Sequence, residues 1–266
     1  MSVLIVIPAR FASQRYPGKP LVPLRGADGV ARTLIERSWR AAQAVRGADR
    51  VVVATDDDRI RAACDGFGAE VVMTSAACAN GTERCAETMA ALGEGHEVIV
   101  NLQGDAPLTP PWFVEALIAG LAEDPDAGMA TPVLRCDGRA LAGLLEDRRA
   151  GRVGGTTAVF DSARRALYFS KEVIPFTART YAADAPTPVF HHVGVYAYRP
   201  HALAAYPRWA PGLLEQLEGL EQLRFLENGH PVLCVEVEAR GRQFWELNNP
   251  EDVPRIEAMM AEMGME

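Results

Sequence analysis

The sequence predicts an α/β protein: a Rossmann-like, mostly parallel sheet with helices on both faces, and a smaller β-rich lobe after it. Two observations predict this fold. In the first 150 residues, short apolar strands alternate with helical segments, which is typical of parallel sheets covered on both faces. Beyond about Gly151, strands follow one another with turns between them. The 266 residues, 48% of them hydrophobic, can bury one such core, so residues 1–266 are treated as one domain.

The elements of the first half are assigned from hydrophobic spacing. Short apolar runs predict strands at 3–7, 51–54, 71–73 and 98–102. Helical spacing predicts helices at 33–45 and 60–66, in the segment that begins NGTERCAE, and in PPWFVEALIAGLAED, which has proline in its first turn. Ligands of a parallel sheet bind beyond the carboxyl ends of its strands, and the polar motifs of this half follow such strands.

Strands dominate the second half. TTAVFDSARRALYFS predicts two strands with a turn at 161–164, and HHVGVYAYR predicts a further β stretch. An apolar run at 232–237 predicts the last strand. This part of the chain therefore differs in kind from the alternating first half.

Two helices interrupt these strands. LLEQLEGLEQLRFLENG predicts one helix that ends at Asn228 and Gly229. NNPEDVPRIEAMMAEM predicts a final helix with Asn249 as its N-cap and Pro250 at its first position. The leucines of the first of these helices are expected to face the core: Leu213, Leu217, Leu220 and Leu223.

Composition excludes several classes of protein. The net charge of -8 and the pI near 5.3 argue against a surface that coats nucleic acid. Five cysteines without a CxxC pair favour reduced thiols over disulfides or structural zinc. No run approaches the roughly 20 apolar residues of a membrane span, and MSVLIVIPAR does not resemble a secretory signal, so we expect a cytoplasmic protein. GxSxG, GxGxxG, GxxxxGK(S/T) and HExxH do not occur.

The clearest functional signal is the loop after the first strand, within IPARFASQRYPGKPLVPLRG. Arg10, Arg15 and Lys19 place three positive charges along this loop. Gly18 allows the backbone to approach a ligand closely. No Asp or Glu occurs before Asp28. A solvated basic loop explains a lone cation, whereas three cations beside a glycine after a buried strand favour an anion site such as one for phosphate.

A carboxylate follows the strand at 98–102, in the motif QGD that ends at Asp105. Hard divalent cations need oxygen ligands, and a strand-end carboxylate beside a phosphate loop is well placed to hold Mg²⁺. The structural alternative is that Asp105 only caps the turn before Pro107. We favour the metal because the basic loop is predicted at the same edge of the sheet.

The motif NGTER, residues 80–84, joins a strand to a helix. Backbone amides near Gly81 and Thr82 can bind an anion or read a base edge. Thr82 can also be a plain N-cap. Arg84 is less easily explained, because a cation near a helix start is unfavourable unless an acid or a ligand meets it.

Two further pairs are candidates for binding a polar acid. His192 and Tyr196 lie four residues apart in HHVGVYAYR, so on one strand they point to the same face as hydrogen-bond donors, the histidine charged or neutral. A core tyrosine and an exposed histidine are equally common. Glu221 and Gln222 lie on the predicted leucine-rich helix, where acids often form only a solvated face.

Taken together, the motifs closely resemble those of the 3-deoxy-manno-octulosonate cytidylyltransferases, or CMP-KDO synthetases. The similarity runs in unbroken order from residue 3 to 256. It is carried by IPARFASQRYPGKPL, ATDDDRI, VVMTS, NGTERCAE, VIVNLQGDAPL, ALYFSKEVIPF, HHVGVYAYR, LEGLEQLR and NPEDV. The resemblance implies transfer of CMP from CTP to a 3-deoxy-ulosonic acid (KDO), with Mg²⁺ required and pyrophosphate released. It also implies a cytoplasmic homodimer that activates sugar for lipopolysaccharide or capsule.

The resemblance also implies a role for each matching residue. Residues 1–150 would mainly bind CTP, and residues 151–266 would mainly bind the acceptor and form the dimer. Arg15, Lys19 and Asp105 would be catalytic. The CTP phosphates would contact Arg10, Ser13, Arg15 and Lys19, with Pro8 and Ala9 near the base and Asn80, Gly81 and Arg84 completing the cytidine pocket. The metal would bind Asp105, and the sugar acid would contact Gln103, His192, Tyr196, Glu221 and Gln222.

Three positions depart from the family pattern. Ala106 follows QGD where an acid is usual, and Thr157 stands where a lysine is common. Asn248 occupies the position of a second metal-binding aspartate. Its amide oxygen can still coordinate Mg²⁺, but the site loses one negative charge. These positions lie near the acceptor or the metal, so CTP is better supported than the acceptor.

The expected mechanism is an in-line attack by the acceptor hydroxyl on the α-phosphorus of CTP, with Arg15 and Lys19 stabilising the departing pyrophosphate. One alternative is cytidylyl transfer to another ulosonic acid, an amino-octulosonate or a phosphonate. A second alternative is a non-catalytic regulator that binds CTP. A structural or interaction protein would not require the acid-free cationic loop.

Overall fold

A computed structural model describes residues 1–13, 15–93, 95–153, 155–242 and 245–266. Its strands, in chain order, are β1 (Val3–Ala9), β2 (Pro23–Arg25), β3 (Ala31–Thr33), β4 (Arg50–Thr55), β5 (Glu70–Met73), β6 (Val98–Leu102), β7 (Met129–Asp137), β8 (Thr156–Phe160), β9 (Ala166–Ser170), β10 (Pro186–His192), β11 (Val195–Tyr198) and β12 (Val232–Glu236). Its α-helices are α1 (Leu34–Gln43), α2 (Asp58–Phe67), α3 (Gly81–Leu92), α4 (Pro111–Glu123), α5 (Gly138–Arg149), α6 (Pro200–Ala205), α7 (Leu213–Glu218), α8 (Leu223–Glu227) and α9 (Asp252–Glu262).

The chain divides into two compact units. The first unit comprises Met1–Glu115 and Ala239–Glu266, and the second comprises Ala116–Glu238. The predicted α/β class is confirmed. The assignment of CTP binding to residues 1–150 and of acceptor binding to 151–266 concerns ligands and stays a prediction.

The first unit is built on four parallel strands in the order β5, β4, β1, β6. Every residue of β1 is buried, as expected for a strand with neighbours on both sides and cover on both faces. Because these strands run in one direction, the segments that follow β1, β4 and β6 all begin at the same edge. The predicted site motifs therefore start from one edge of this sheet.

The second unit is mostly antiparallel. The long strand β7 pairs antiparallel with β11 through its first residues and with β10 through its later ones. On its other side it pairs parallel with β12. Strand β10 continues to β8 and then β9, both antiparallel. This arrangement agrees with the predicted change from alternating elements to successive strands.

The prediction of one helix through LLEQLEGLEQLRFLENG was wrong. Two short helices, α7 and α8, replace it, and Gly219 between them has a left-handed φ of 61° that ends α7. The expected burial of all four leucines was also wrong, since Leu213 and Leu217 are 68% and 74% exposed. The reason is that α7 turns Glu215 inward, where its carboxylate receives two hydrogen bonds of 2.7 Å from Arg224.

The final helix begins later than predicted. Asn249 and Pro250 precede α9, and the N-cap position is Glu251. The physical reason is Asp252, whose carboxylate accepts hydrogen bonds from the backbone N–H groups of Asn248 and Asn249 at 2.9 and 2.7 Å. These bonds fold residues 248–251 into a turn rather than into the first turn of a helix.

The short hairpin β2–β3, the long strand β7 and the helices α5 and α6 were not predicted. All five cysteines are free, in agreement with the predicted reduced thiols. Among the helices of the described ranges, none combines the length and the apolar character required to span a bilayer.

Candidate active site

The segment after β6 packs closely against the end of β1. A Cβ atom on Gly104 would lie 2.7 Å from the carbonyl oxygen of Pro8, so only glycine fits without displacing backbone. Pro8 and Ala9, predicted near the base, are the buried last residues of β1. The glycine of the QGD motif thus lets the turn that carries Asp105 pack against the end of β1. The cationic loop, which we define as residues 10–19, begins there.

The cationic loop, described except for residue 14, is closed by its own backbone. The carbonyl oxygen of Phe11 accepts hydrogen bonds from the N–H groups of Ser13 and Gly18, both at 2.9 Å. Gly18 has a φ of 73°, and a Cβ there would lie 3.0 Å from the Phe11 ring. Arg10 and Arg15 remain exposed. The loop therefore presents two arginines to solvent and turns inward at its last residue, Lys19.

Lys19 and Asp105 form an ion pair. Lys19 Nζ lies 2.5 Å from Asp105 Oδ2 and 3.1 Å from the carbonyl oxygen of Leu247. The N–H of Leu247 donates to the carbonyl oxygen of Asp105 at 2.9 Å. The first unit thus brings together the cation and the carboxylate that the sequence assigned to one site.

A second contact ties the cationic loop to the segment before α9. Arg15 Nη2 donates to Asn248 Oδ1 at 2.6 Å. The Asn248 side chain also hydrogen-bonds to Glu246. Glu246 is exposed, and the protein atoms around its carboxyl together with the negative charge of Asp105 raise its pKa above the ordinary value.

Helix α3 begins next to the same strand β6. Asn80, not Thr82, is its N-cap and accepts a hydrogen bond from the N–H of Glu83 at 2.9 Å. A Cβ on Gly81 would lie 3.1 Å from the side-chain nitrogens of Asn101 and Gln103. The NGTER loop and the QGD motif are therefore direct neighbours.

Arg84 lies near an acid, which explains why a cation is tolerated close to the start of a helix. It is buried, its Nη2 lies 3.6 Å from Asp56 Oδ2, and its Nη1 donates to Thr74 Oγ1. Asp56 follows β4 and Thr74 follows β5, so Arg84 connects the ends of two strands. Its role in a cytidine pocket stays a prediction.

The second unit brings together the predicted acceptor residues His192, Tyr196 and Gln222. Tyr196 OH donates to Gln222 Oε1 at 3.2 Å, and the rings of His192 and Tyr196 are 5.7 Å apart. The two rings lie on β10 and β11, not on one strand as predicted, because the chain leaves β10 directly after His192. Burial and the neighbouring His191 lower the pKa of His192 to about 3, so this ring is neutral. Glu221 precedes Gln222 and is half-buried.

The three departures from the family pattern have different surroundings. Ala106 is buried in the turn after QGD, where its N–H donates to the Gln103 carbonyl oxygen at 3.2 Å. Thr157 Oγ1 donates to the carbonyl oxygen of Glu172 at 2.7 Å and so holds the segment after β9. The side-chain oxygen of Asn248 accepts a hydrogen bond from Arg15.

Sequence reasoning missed Glu246 and Asn101. Both polar atoms of the fully buried Asn101 lack a partner among the described residues. A polar residue inside an apolar strand is unusual, and Asn101 stands two residues before Gln103, on the same face. This pattern could have marked Asn101 as a candidate. Glu246 stands two residues before Asn248, a spacing that places both side chains on one side of an extended segment.

Comparison with known proteins identifies the family. The family model described as cytidylyltransferase matches residues 4–238. A relative from Maricaulis maris, named 3-deoxy-manno-octulosonate cytidylyltransferase, is 45% identical over 264 residues, 99% of each chain. A relative from Shewanella piezotolerans, named 8-amino-3,8-dideoxy-manno-octulosonate cytidylyltransferase, is 38% identical over 98% of this chain and 99% of its own.

A solved structure is similar over the same length. It is described as CMP:2-keto-3-deoxy-manno-octonic acid synthetase complexed with CTP, and it matches with a TM-score of 0.83 and 32% identity over 99% of this chain and 100% of its own. The resemblance inferred from the motifs is confirmed. The chain belongs to the cytidylyltransferase family, with the 3-deoxy-manno-octulosonate cytidylyltransferases among its relatives.

Proposed function

We propose that this chain transfers CMP from CTP to 3-deoxy-D-manno-octulosonate, releasing pyrophosphate. The observation that carries the proposal is the ion pair between Lys19 and Asp105, with Arg15 on the same loop. This is the charge distribution that a nucleoside triphosphate and a divalent cation require. The names of the full-length relatives supply the cytosine and the sugar acid.

In this reaction the acceptor hydroxyl attacks the α-phosphorus and pyrophosphate leaves. Arg10, Ser13, Arg15 and Lys19 hold the phosphates, and Lys19 exchanges Asp105 for a phosphate oxygen. Arg15 and Lys19 stabilise the charge that develops on the leaving group. No covalent intermediate with a side chain is needed, because positioning and charge neutralisation account for most of the catalysis of phosphoryl transfer.

Asp105 offers the oxygen donor that Mg²⁺ prefers. Within the described ranges no group of three His, Cys, Asp or Glu side chains is placed to hold a metal, so the protein would contribute few ligands and the nucleotide phosphates the rest. This is typical of Mg²⁺ sites that bind metal with substrate. Mg²⁺ bound there would lower the pKa of the acceptor hydroxyl and neutralise phosphate charge.

The residues proposed to contact the acceptor are Gln103, His192, Tyr196, Glu221 and Gln222. A neutral His192 and the hydroxyl of Tyr196 suit the hydroxyl groups of a sugar, since both donate and accept hydrogen bonds without adding charge. An amino-octulosonate is the second candidate acceptor, because the Shewanella relative is named for one.

We further propose that the chain acts as a cytoplasmic homodimer in lipopolysaccharide or capsule synthesis. Leu213 and Leu217 lie four residues apart on α7 and point to solvent, so they form an apolar helix face. A second copy can cover such a face with the identical one. Light scattering of the purified protein should give a dimer mass, and Leu217→Lys should shift it toward the monomer; a wild-type monomer would overturn this proposal.

The test of the activity uses purified protein, CTP and Mg²⁺ with KDO or its 8-amino analogue. We expect pyrophosphate release and a product with the mass of CMP-KDO. Greater turnover with the 8-amino acid would identify that compound as the substrate. Tight CTP binding without pyrophosphate release from any acceptor would instead indicate a regulator.

A further inference from the structure

The four residues Trp245 to Asn248 alternate between two environments. Leu247 is fully buried in the apolar cluster with Leu24 and Ile256, and Trp245 packs against that cluster. Glu246 is exposed and Asn248 is half-buried, and neither belongs to the cluster. The side chains of Glu246 and Asn248 are hydrogen-bonded to each other. Glu246 and Asn248 therefore share the side opposite the cluster.

The polar atoms of the Asn248 side chain already have hydrogen-bond partners. Its amide oxygen accepts a hydrogen bond from Arg15, and its NH2 group donates to the carboxylate of Glu246. An amide nitrogen with its hydrogens is not a metal ligand, so Asn248 offers at most one neutral oxygen, which a guanidinium already holds. The position that family resemblance assigns to a second metal-binding acid thus brings no charge.

Glu246 restores the missing charge in the same place. Its carboxylate interacts electrostatically with Asp105, Lys19 and Arg15. When Glu246 is ionised, the two carboxylates and the two cations balance one another without a ligand. When a triphosphate draws Lys19 and Arg15 to its own oxygens, the two carboxylates lose these cations and repel each other, and a divalent cation relieves that repulsion.

We infer that Glu246, not residue 248, supplies the second acidic ligand of the divalent-cation site beside Asp105. The inference rests on the proposed function for the presence of the cation and the triphosphate. It assigns Asn248 a different role, that of a positioning residue that links Arg15 to Glu246. The second acid of the site then lies two residues before the position that the family resemblance assigns to it.

The test measures Mn²⁺ binding by electron paramagnetic resonance, with CTP present and no acceptor. Glu246→Gln keeps the size of the side chain and should weaken Mn²⁺ binding by at least about tenfold. Glu246→Gln combined with Asn248→Asp returns the acid to the other position and should restore binding to within about threefold of wild type. Glu262→Gln, an exposed acid near the end of α9, is the matched control and should leave binding unchanged.

Mn²⁺ binding by Glu246→Gln that equals wild type would overturn the inference, as would a double variant no better than the single one. The readout is separate from turnover. If the wild type binds Mn²⁺ through Glu246 but forms no product with either acceptor, the inference stands and the proposed function fails. If product forms and Glu246→Gln binds Mn²⁺ normally, the proposed function stands and the inference fails.

Discussion

Lys19 Nζ lies 2.5 Å from Asp105 Oδ2, so the last cation of the loop after β1 neutralises the carboxylate that follows β6. The pair is only partly exposed, at 14% and 23% of the side-chain areas. An ion pair in this position holds two oppositely charged groups close together before any ligand binds. Binding of a triphosphate and a metal ion then exchanges the partners of both groups.

Lys19→Ala should lower kcat/KM for CTP by about 100-fold or more, because an oriented charge at the transition state is lost. The measurement is pyrophosphate release at varied CTP. Arg61→Ala removes a half-exposed cation of α2 that forms an ion pair with Asp58 of the same helix, and it should change the rate less than twofold. Equal rates for Lys19→Ala and wild type would contradict the role of Lys19.

Gly104→Ala should reduce the free energy of unfolding by about 1–3 kcal/mol, since the new methyl group would lie 2.7 Å from the Pro8 carbonyl oxygen. Urea denaturation measures this change. Gly143→Ala is the matched control: it lies in α5 with no atom within 4 Å of the added Cβ, and it should be neutral or stabilising. Equal stability of both variants would show that β1 and the QGD turn are not packed as described.

The parts of the fold that local pattern controls were predictable. Buried parallel strands such as β1 and β6 are short apolar runs. The loop between β1 and Lys19 is recognisable from its glycine and its positive charges. Glu246 could not be found in this way. Its role depends on Leu247 entering an apolar cluster, and that cluster contains residues far away in the sequence, such as Leu24.

Glu215→Ala should destabilise the protein by about 3–5 kcal/mol, because it leaves the buried guanidinium of Arg224 without its charged partner. Urea denaturation is again the measurement. Glu172→Ala breaks the more exposed pair with Arg148 and should cost less than about 1 kcal/mol. A loss for Glu215→Ala as small as that of the control would argue against the buried pair.

The same pair explains why the helix at 213–229 was predicted wrongly. Leucines at helical spacing normally face a core, and acids normally face water. Here Arg224, on α8, is fully buried and requires an acid, so α7 turns Glu215 inward and its leucines outward. Spacing within a single segment cannot reveal a charge that comes from the next one.

Stability should fall below pH 6.5 because of His192 and of its neighbour His191, whose pKa burial lowers to about 4. The contribution of His192 can be separated by mutation. Burial lowers its pKa in the folded protein to about 3, whereas the unfolded chain takes up the proton near 6.5. The stabilisation is therefore complete above pH 6.5 and declines by about 1.4 kcal/mol per pH unit as the pH falls toward the folded-state pKa. Denaturation at pH 7.5 and 5 measures this slope.

His192→Gln should reduce the slope of unfolding free energy against pH by about 1.4 kcal/mol per pH unit, the contribution of one proton. His201→Gln, at an exposed position, should leave the slope unchanged. A wild-type slope in His192→Gln would show that the buried ring is not responsible.

The most direct test of the central claim is a crystal structure of the protein with CTP and Mg²⁺. We expect Lys19 Nζ and the Arg15 guanidinium within hydrogen-bond distance of triphosphate oxygens, and Mg²⁺ bound to Asp105. A triphosphate bound elsewhere, with the Lys19–Asp105 pair intact and no metal at Asp105, would contradict the account.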